Sequence, residues 1–154
     1  MAFINYPYNN FVNIIICRLL LLILLCTILF PGFINKVPSL NTQGNEEYEN
    51  KKYKEAIKTY RKAQIDRPDS EILRYNIGAA LYKLYEYQEA LSDFNVALEK
   101  SPDTLQRASI LYNIGNTQYW LGQFDNAIES YKKALDINPD DDDAKYNLEF
   151  LLKR

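Results

Sequence analysis

One spacing occurs three times in this chain. Its central copy reads Gly78, Tyr87, Ala90, Phe94, Ala97 and Pro102. The same residue classes stand 34 positions earlier, at Gly44, Tyr53, Ala56, Tyr60, Ala63 and Pro68. They stand again 37 positions later, at Gly115, Phe124, Ala127, Tyr131, Ala134 and Pro139. A fixed period of this length marks a stack of supersecondary units. Within the central unit, Leu81, Leu84, Leu91, Phe94 and Leu98 keep to a helical period and predict buried helix faces. Gly78, Ala90 and Ala97 are small where two helices have to approach. Pro102 cannot continue a helix and ends the pair. Each unit is therefore a helix hairpin with apolar surface left over, which only a neighbouring hairpin can cover.

This order of Gly, aromatic, Ala, aromatic, Ala and Pro resembles the tetratricopeptide repeat (TPR) family over residues 37–154. The resemblance implies an all-α fold, an α-solenoid of three helix hairpins. The repeats run over about 37–70, 71–104 and 108–141, and a capping helix occupies 143–152. Leu105-Gln106-Arg107 is a three-residue excess that lengthens either a turn or the start of the next helix. Gln43 and Glu47 occupy positions that the family fills with apolar residues, so the first helix is expected to be the weakest. Asp140 to Asp143 precede the cap and suit a helix N-terminus. They do not make a calcium loop, because its sixth and twelfth positions would be Lys145 and Leu151. Lys153 and Arg154 suit the cap's other end.

Ahead of the repeats the composition changes. Residues 1–10 carry no charged side chain, and residues 11–30 are almost wholly apolar. Twenty such residues are about enough to cross a bilayer. Arg18 interrupts the run and would have to snorkel to an interface. Read as a cleaved signal peptide, the segment lacks a small-x-small site after Phe30; an uncleaved transmembrane anchor is the favoured reading. Arg18 before the apolar core favours an inside N-terminus, with the repeats on the non-cytoplasmic side. Residues 31–39, with Pro31, Gly32 and Pro38, read as a linker, so the repeat domain is expected over 40–154.

Composition narrows the function. The formal charge is −2, with 18 basic and 20 acidic residues. All the acidic residues lie beyond residue 40, where no basic stripe is visible, so nucleic acid is not an expected partner. The chain has no His, and its two cysteines, Cys17 and Cys26, both sit in the apolar segment. No catalytic triad, metal-ligand cluster or phosphate-binding glycine loop is present in the sequence. No enzyme activity, cofactor or metal is expected.

What remains is a surface for a protein. In TPR stacks the first helices of the hairpins line a concave groove. The resemblance places Tyr75, Ala79, Tyr82 and Lys83 on it from the second repeat. The third repeat contributes Tyr112, Asn116, Tyr119 and Trp120, the first Tyr48 and Glu49, and the cap Tyr146. Rings of this kind are enriched where proteins bind proteins. Beside them Tyr75-Asn76, Tyr112-Asn113 and Tyr146-Asn147 repeat one dipeptide. Its amides could read the main chain of an extended peptide or could bond neighbouring helices and fix their stacking. TPR adaptors that grip the C-terminal carboxylates of heat-shock chaperones place basic residues on these helices. Here Asn41, Ser109 and Asn113 stand at the three basic positions and Asn45 and Asn76 at the Asn positions, so a carboxylate grip is not expected.

The segment Asp140-Asp141-Asp142-Asp143-Ala144-Lys145-Tyr146-Asn147-Leu148-Glu149 is similar to the cap of the membrane-anchored TPR proteins of bacterial aerotolerance (Bat) operons. That resemblance implies von Willebrand A-type membrane proteins as partners. A TPR factor of photosystem assembly is a weaker likeness, on Ile110 to Gly115. The leading expectation is a non-catalytic scaffold presenting a Tyr/Asn-lined groove to a partner in a membrane-associated complex. A holding chaperone or assembly factor is the alternative. A cell-wall hydrolase would need an acid pair where aromatic and amide residues stand.

Overall fold

The computed structural model describes residues 36–153, together with five helical positions at 15, 16 and 18–20. The expected segments 1–10 and 11–30 otherwise fall outside the described residues. No helix among the described residues is long and apolar enough to cross a membrane.

Seven helices follow one another from residue 36. They are α1 (Lys36–Glu49), α2 (Tyr53–Asp66), α3 (Glu71–Lys83), α4 (Tyr87–Lys100), α5 (Thr104–Trp120), α6 (Phe124–Ile137) and α7 (Asp142–Leu152). No strand occurs among the described residues. The three hairpins and the cap expected from the spacing are present. Pro68, Pro102 and Pro139 each stand just past a second helix. One boundary differs: the expected linker 31–39 is already helical from Lys36. Pro38 does not prevent this, because in a first turn its missing N–H has no intrahelical partner to lose.

The signature residues form the inside of each hairpin. Ala56, Ala63, Ala90, Ala97, Ala127 and Ala134 are completely buried, as are Tyr60, Phe94 and Tyr131 to within a few per cent. The three glycines serve those rings. A Cβ on Gly78 would stand 2.9 Å from Phe94, and one on Gly115 would stand 2.6 Å from Tyr131; Gly44 is set against Tyr60 in the same way. Each ring of a second helix thus lies over a bare patch of the first helix's backbone. Cβ atoms do not tolerate such approaches without something moving.

The turn inside each hairpin also repeats. Lys51, Tyr85 and Gly122 occupy corresponding positions, and all have positive φ, of 59°, 64° and 74°. Only the third turn uses the residue that takes this conformation without strain.

Helix starts are capped where the sequence offers a short oxygen. Ser70 accepts from the Leu73 N–H, Asp103 from Gln106 and Asp141 from Ala144. Asp141 is therefore the member of the acidic run that caps α7. The Leu105-Gln106-Arg107 excess lengthens a helix rather than a turn: α5 has 17 residues against 13 in α3. Arg107 from that added turn donates to the Leu98 carbonyl at 2.6 Å and the Ser101 carbonyl at 3.3 Å, closing the open end of α4.

Candidate functional site: two matched aromatic cavities

The first helices α1, α3 and α5, with the cap α7, present side chains at corresponding positions on one face. Two cavities open there. The first, of about 320 Å³, is lined by Asn45, Tyr48 and Glu49 of α1, Tyr60 of α2, and Tyr75, Asn76 and Ala79 of α3. The second is larger, about 410 Å³. It is lined by Asn116, Tyr119 and Trp120 of α5, Tyr131 of α6, and Tyr146, Asn147 and Phe150 of α7. Tyr82 and Tyr112 complete its wall. Adding 71 to every number of the first cavity gives the seven core residues of the second. They are one cavity of the repeat, built at both ends of the stack.

The floors match in detail. Tyr60 donates to Asn45 Oδ1 at 2.8 Å, and Asn76 Nδ2 donates to the same oxygen at 3.3 Å. Tyr131 donates to Asn116 Oδ1 at 2.7 Å, and Asn147 Nδ2 reaches that oxygen at 3.0 Å. A buried phenol from the second helix and an amide from the next unit thus meet on one carbonyl oxygen, whose two lone pairs allow both bonds. In the middle unit the ring is Phe94, which has no hydroxyl, and the acceptor position is Ala79. There Asn113 donates to the Tyr75 hydroxyl at 3.0 Å and to the Ser109 carbonyl at 3.0 Å. The hydroxyl and the amide are present together or absent together, as an otherwise unpaired buried polar group would require.

Burial raises the pKa of both floor phenols. Tyr60 is pushed up to about 12, chiefly by burial and further by the nearby phenol of Tyr48 and the carboxylates of Glu47 and Glu49. Tyr131 is raised by burial and by the phenols of Tyr112, Tyr82 and Tyr119, against a lowering by the Asn147 hydrogen bond. Tyr131 thus owes its shift to burial and neighbouring phenols, whereas at Tyr60 carboxylates add to burial.

The rim of the second cavity is a network of rings. Trp120 lies parallel to Tyr87, with centroids 5.8 Å apart, and donates its indole N–H to the Tyr82 hydroxyl at 2.9 Å. Tyr119 meets Trp120, Phe124 and Phe150 edgewise or tilted. Even so, Trp120, Tyr146 and Phe150 remain 57%, 71% and 49% exposed. Large apolar faces held in place yet open to water mark an interaction surface.

Of the expected groove residues, Tyr48, Tyr75 and Asn76 line the first cavity. Tyr82, Tyr112, Asn116, Tyr119, Trp120, Tyr146 and Asn147 line the second. Asn113 and Lys83 line neither. The three amides of the Tyr-Asn dipeptides all bond a neighbouring first helix, and Asn76 also reaches Asn41 Oδ1 at 3.1 Å. They bind the units together, whatever else they contact. Missing from the expected set were Asn45, Tyr60, Tyr131 and Phe150. Among the described residues no cluster of His, Cys, Asp and Glu could hold a metal ion.

Residues 108–141 match the family model described as tetratricopeptide repeat, and residues 44–84 match a second one described as TPR repeat. The chain carries tetratricopeptide repeats. Solved TPR structures share the architecture. The first TPR of Spaghetti (RPAP3) bound to the HSP90 peptide SRMEEVD superposes with a TM-score of 0.71 at 24% identity, over 77% of this chain and 91% of that one. The yeast Sti1 TPR2AB domain in its HSP90 complex gives 0.69 at 28% identity, over 77% of this chain and 46% of that one. MamA gives 0.72 at 23% identity, over 82% and 72%. The RPAP3 and Sti1 neighbours are TPR domains with a chaperone peptide or partner in place, and no catalytic family is indicated. No curated protein matches the sequence.

Proposed function

We propose that this chain is a non-catalytic scaffold that holds an extended peptide segment of a partner protein along its first-helix face, within a membrane-associated complex. The observation that carries the reading is the pair of matched cavities on that face, each with a hydrogen-bonded floor and an aromatic wall. Such sites can each take one side chain of an extended segment lying along the face. Tyr48, Tyr75, Asn76, Tyr82, Tyr112, Asn116, Tyr119, Trp120, Tyr146 and Asn147 are the proposed contacts, with Lys83 and Asn113 at the margin.

The peptide differs in chemistry from the one in the RPAP3 complex, whose SRMEEVD sequence is acidic. At the positions where a carboxylate grip needs cations stand Asn41, Ser109 and Asn113. Asn41 accepts from Asn76, and Asn113 is spent on Tyr75 and the Ser109 carbonyl.

The membrane context rests on the apolar segment 11–30, as an anchor that raises the effective concentration of a membrane partner. The resemblance of the cap to the Bat-operon proteins supports von Willebrand A-type membrane proteins as the partner class, and Arg18 ahead of the apolar core supports the repeats on the non-cytoplasmic side. The test is a detergent pull-down read by mass spectrometry, comparing the wild type with Tyr146→Ala/Phe150→Ala. Tyr146 is exposed and Phe150 half-exposed on α7, and circular dichroism checks that the double variant keeps its helices. One dominant partner lost in the variant supports the scaffold. Many weak clients make the chain a holding chaperone instead. A partner retained by both forms puts the binding surface elsewhere.

A further inference from the structure

The two cavities differ at two corresponding positions. Glu49 at the first becomes Trp120 at the last, and Ala79 becomes Phe150. Building on the peptide-binding reading above, we infer that the first cavity takes a basic side chain of the bound peptide and the last takes a large apolar or aromatic one.

The first cavity is built for a cation. Glu49 is the one charged residue in its lining, and no cation stands beside it there. Tyr48, Tyr60 and Tyr75 contribute three aromatic rings to the same lining. A guanidinium or ammonium is attracted by ring faces and by a carboxylate at once. A second carboxylate on α1 adds negative charge near the floor phenol. One carboxylate oxygen of Glu47 is buried with no hydrogen-bond partner, and the charges of Glu47 and Glu49 both act on the Tyr60 hydroxyl. An acidic peptide residue would be repelled here, and an apolar one would leave Glu49 partly desolvated without compensation.

The last cavity has no charged residue in its lining. Trp120 is pinned by its stack on Tyr87 and its bond to Tyr82, so little side-chain freedom is lost when a ligand covers it. Phe150 closes the side that Ala79 leaves open in the first cavity. A second ring or a branched aliphatic chain fills such a cup and covers the exposed faces of Trp120, Tyr146 and Phe150. The cavities lie two units apart. At roughly 10 Å per first-helix step that is on the order of 20 Å, or about six residues of extended chain. The account therefore specifies a basic residue and a large apolar residue about six positions apart, on a peptide whose charge complements an acidic repeat region.

The experiment selects binders from a randomised peptide library on the immobilised full chain in detergent micelles, then measures their affinity by fluorescence anisotropy. Selected peptides are expected to share Arg or Lys at that spacing from Trp, Phe, Tyr, Leu or Ile. Glu49→Gln, an exposed and nearly isosteric change, is expected to weaken them by about three- to fivefold. The same peptide with Ala in place of the basic residue should bind both forms equally. Trp120→Ala should weaken binding by about tenfold or more. Selected peptides that carry no basic residue, or a Glu49→Gln effect that is the same for the Ala peptide, would overturn this assignment and leave the peptide-binding reading standing. A library from which nothing binds would overturn that reading itself.

Discussion

The first and last cavities have the same floor and different rims. Tyr60 over Asn45 and Asn76 is repeated in Tyr131 over Asn116 and Asn147, bond for bond. At the rim, a carboxylate and a methyl group in one stand where an indole and a phenyl ring stand in the other. The difference separates what the stack needs from what a ligand needs. Floor residues pack the hairpin and tie it to the next one, so they recur. Glu49, Ala79, Trp120 and Phe150 take no part in those floor bonds, even though Trp120 packs on Tyr87 and bonds Tyr82, so they can differ and set specificity.

If the floors are equivalent, damaging either one should cost the same. Gly44→Ala and Gly115→Ala each force a Cβ into a buried tyrosine ring. Each is expected to destabilise by about 1–3 kcal/mol, read from urea unfolding. A variant of either as stable as wild type would break the comparison at its base. Next in size, Tyr60→Phe and Tyr131→Phe each remove a buried hydroxyl that donates to an amide, at about 1 kcal/mol apiece. Converting Asn116 to Ala as well recreates the Phe94–Ala79 pairing of the middle unit. The double variant should therefore lose less than the two single losses combined, and strict additivity would show that the hydroxyl and the amide are not a unit.

The turns sharpen the comparison from another side. Lys51 holds a positive φ that Gly122 holds without strain at the last hairpin. Lys51→Gly should stabilise the first hairpin by up to about 1 kcal/mol in thermal unfolding. No gain would mean that the turn is held by something other than backbone preference.

The smallest effect concerns pH. The Tyr60 pKa is raised from its ordinary 10.0 to about 12, so the folded state holds this proton more tightly than the unfolded chain does. Stability from this group is complete below pH 10 and falls as pH rises towards 12. Tyr60→Phe should flatten that alkaline slope. Glu49→Gln should lower the Tyr60 midpoint slightly and leave Tyr131 unmoved, because the Glu49 carboxylate adds to burial in raising Tyr60, whereas burial and neighbouring phenols raise Tyr131. Among the 13 tyrosines, the difference in phenolate absorbance against pH between the wild type and Tyr60→Phe, and between it and Tyr131→Phe, isolates each midpoint.

The hairpins, their ends and most of the first-helix aromatics were legible in the sequence, because each follows from a local period or a helix breaker. The floors were not. Tyr60 and Tyr131 belong to the packing signature, and a search along the first helices passes over them. They reach the groove side only because Gly44 and Gly115 let their rings lie across the backbone. A signal was nevertheless present: Tyr, Phe, Tyr at 60, 94 and 131 runs in step with Asn, Ala, Asn at 45, 79 and 116. Pairing across the hairpin turns that pattern into a hydrogen bond. The amides of Asn76, Asn113 and Asn147 were balanced in sequence between peptide contacts and helix ties, since an Asn side chain suits both. Spatial neighbours one unit away supply the ties.

The central claim is that a peptide seats itself in the cavity around Trp120. This is the chain's single tryptophan, 57% exposed at the rim, so its emission reports on that cavity alone. The measurement is a titration of the full chain with the selected peptide carrying Leu rather than an aromatic residue, following tryptophan emission and anisotropy of the labelled peptide together. The account predicts a blue shift of Trp120 that saturates with the same midpoint as the anisotropy. Saturable binding with Trp120 emission unchanged would contradict it and move the ligand off this face.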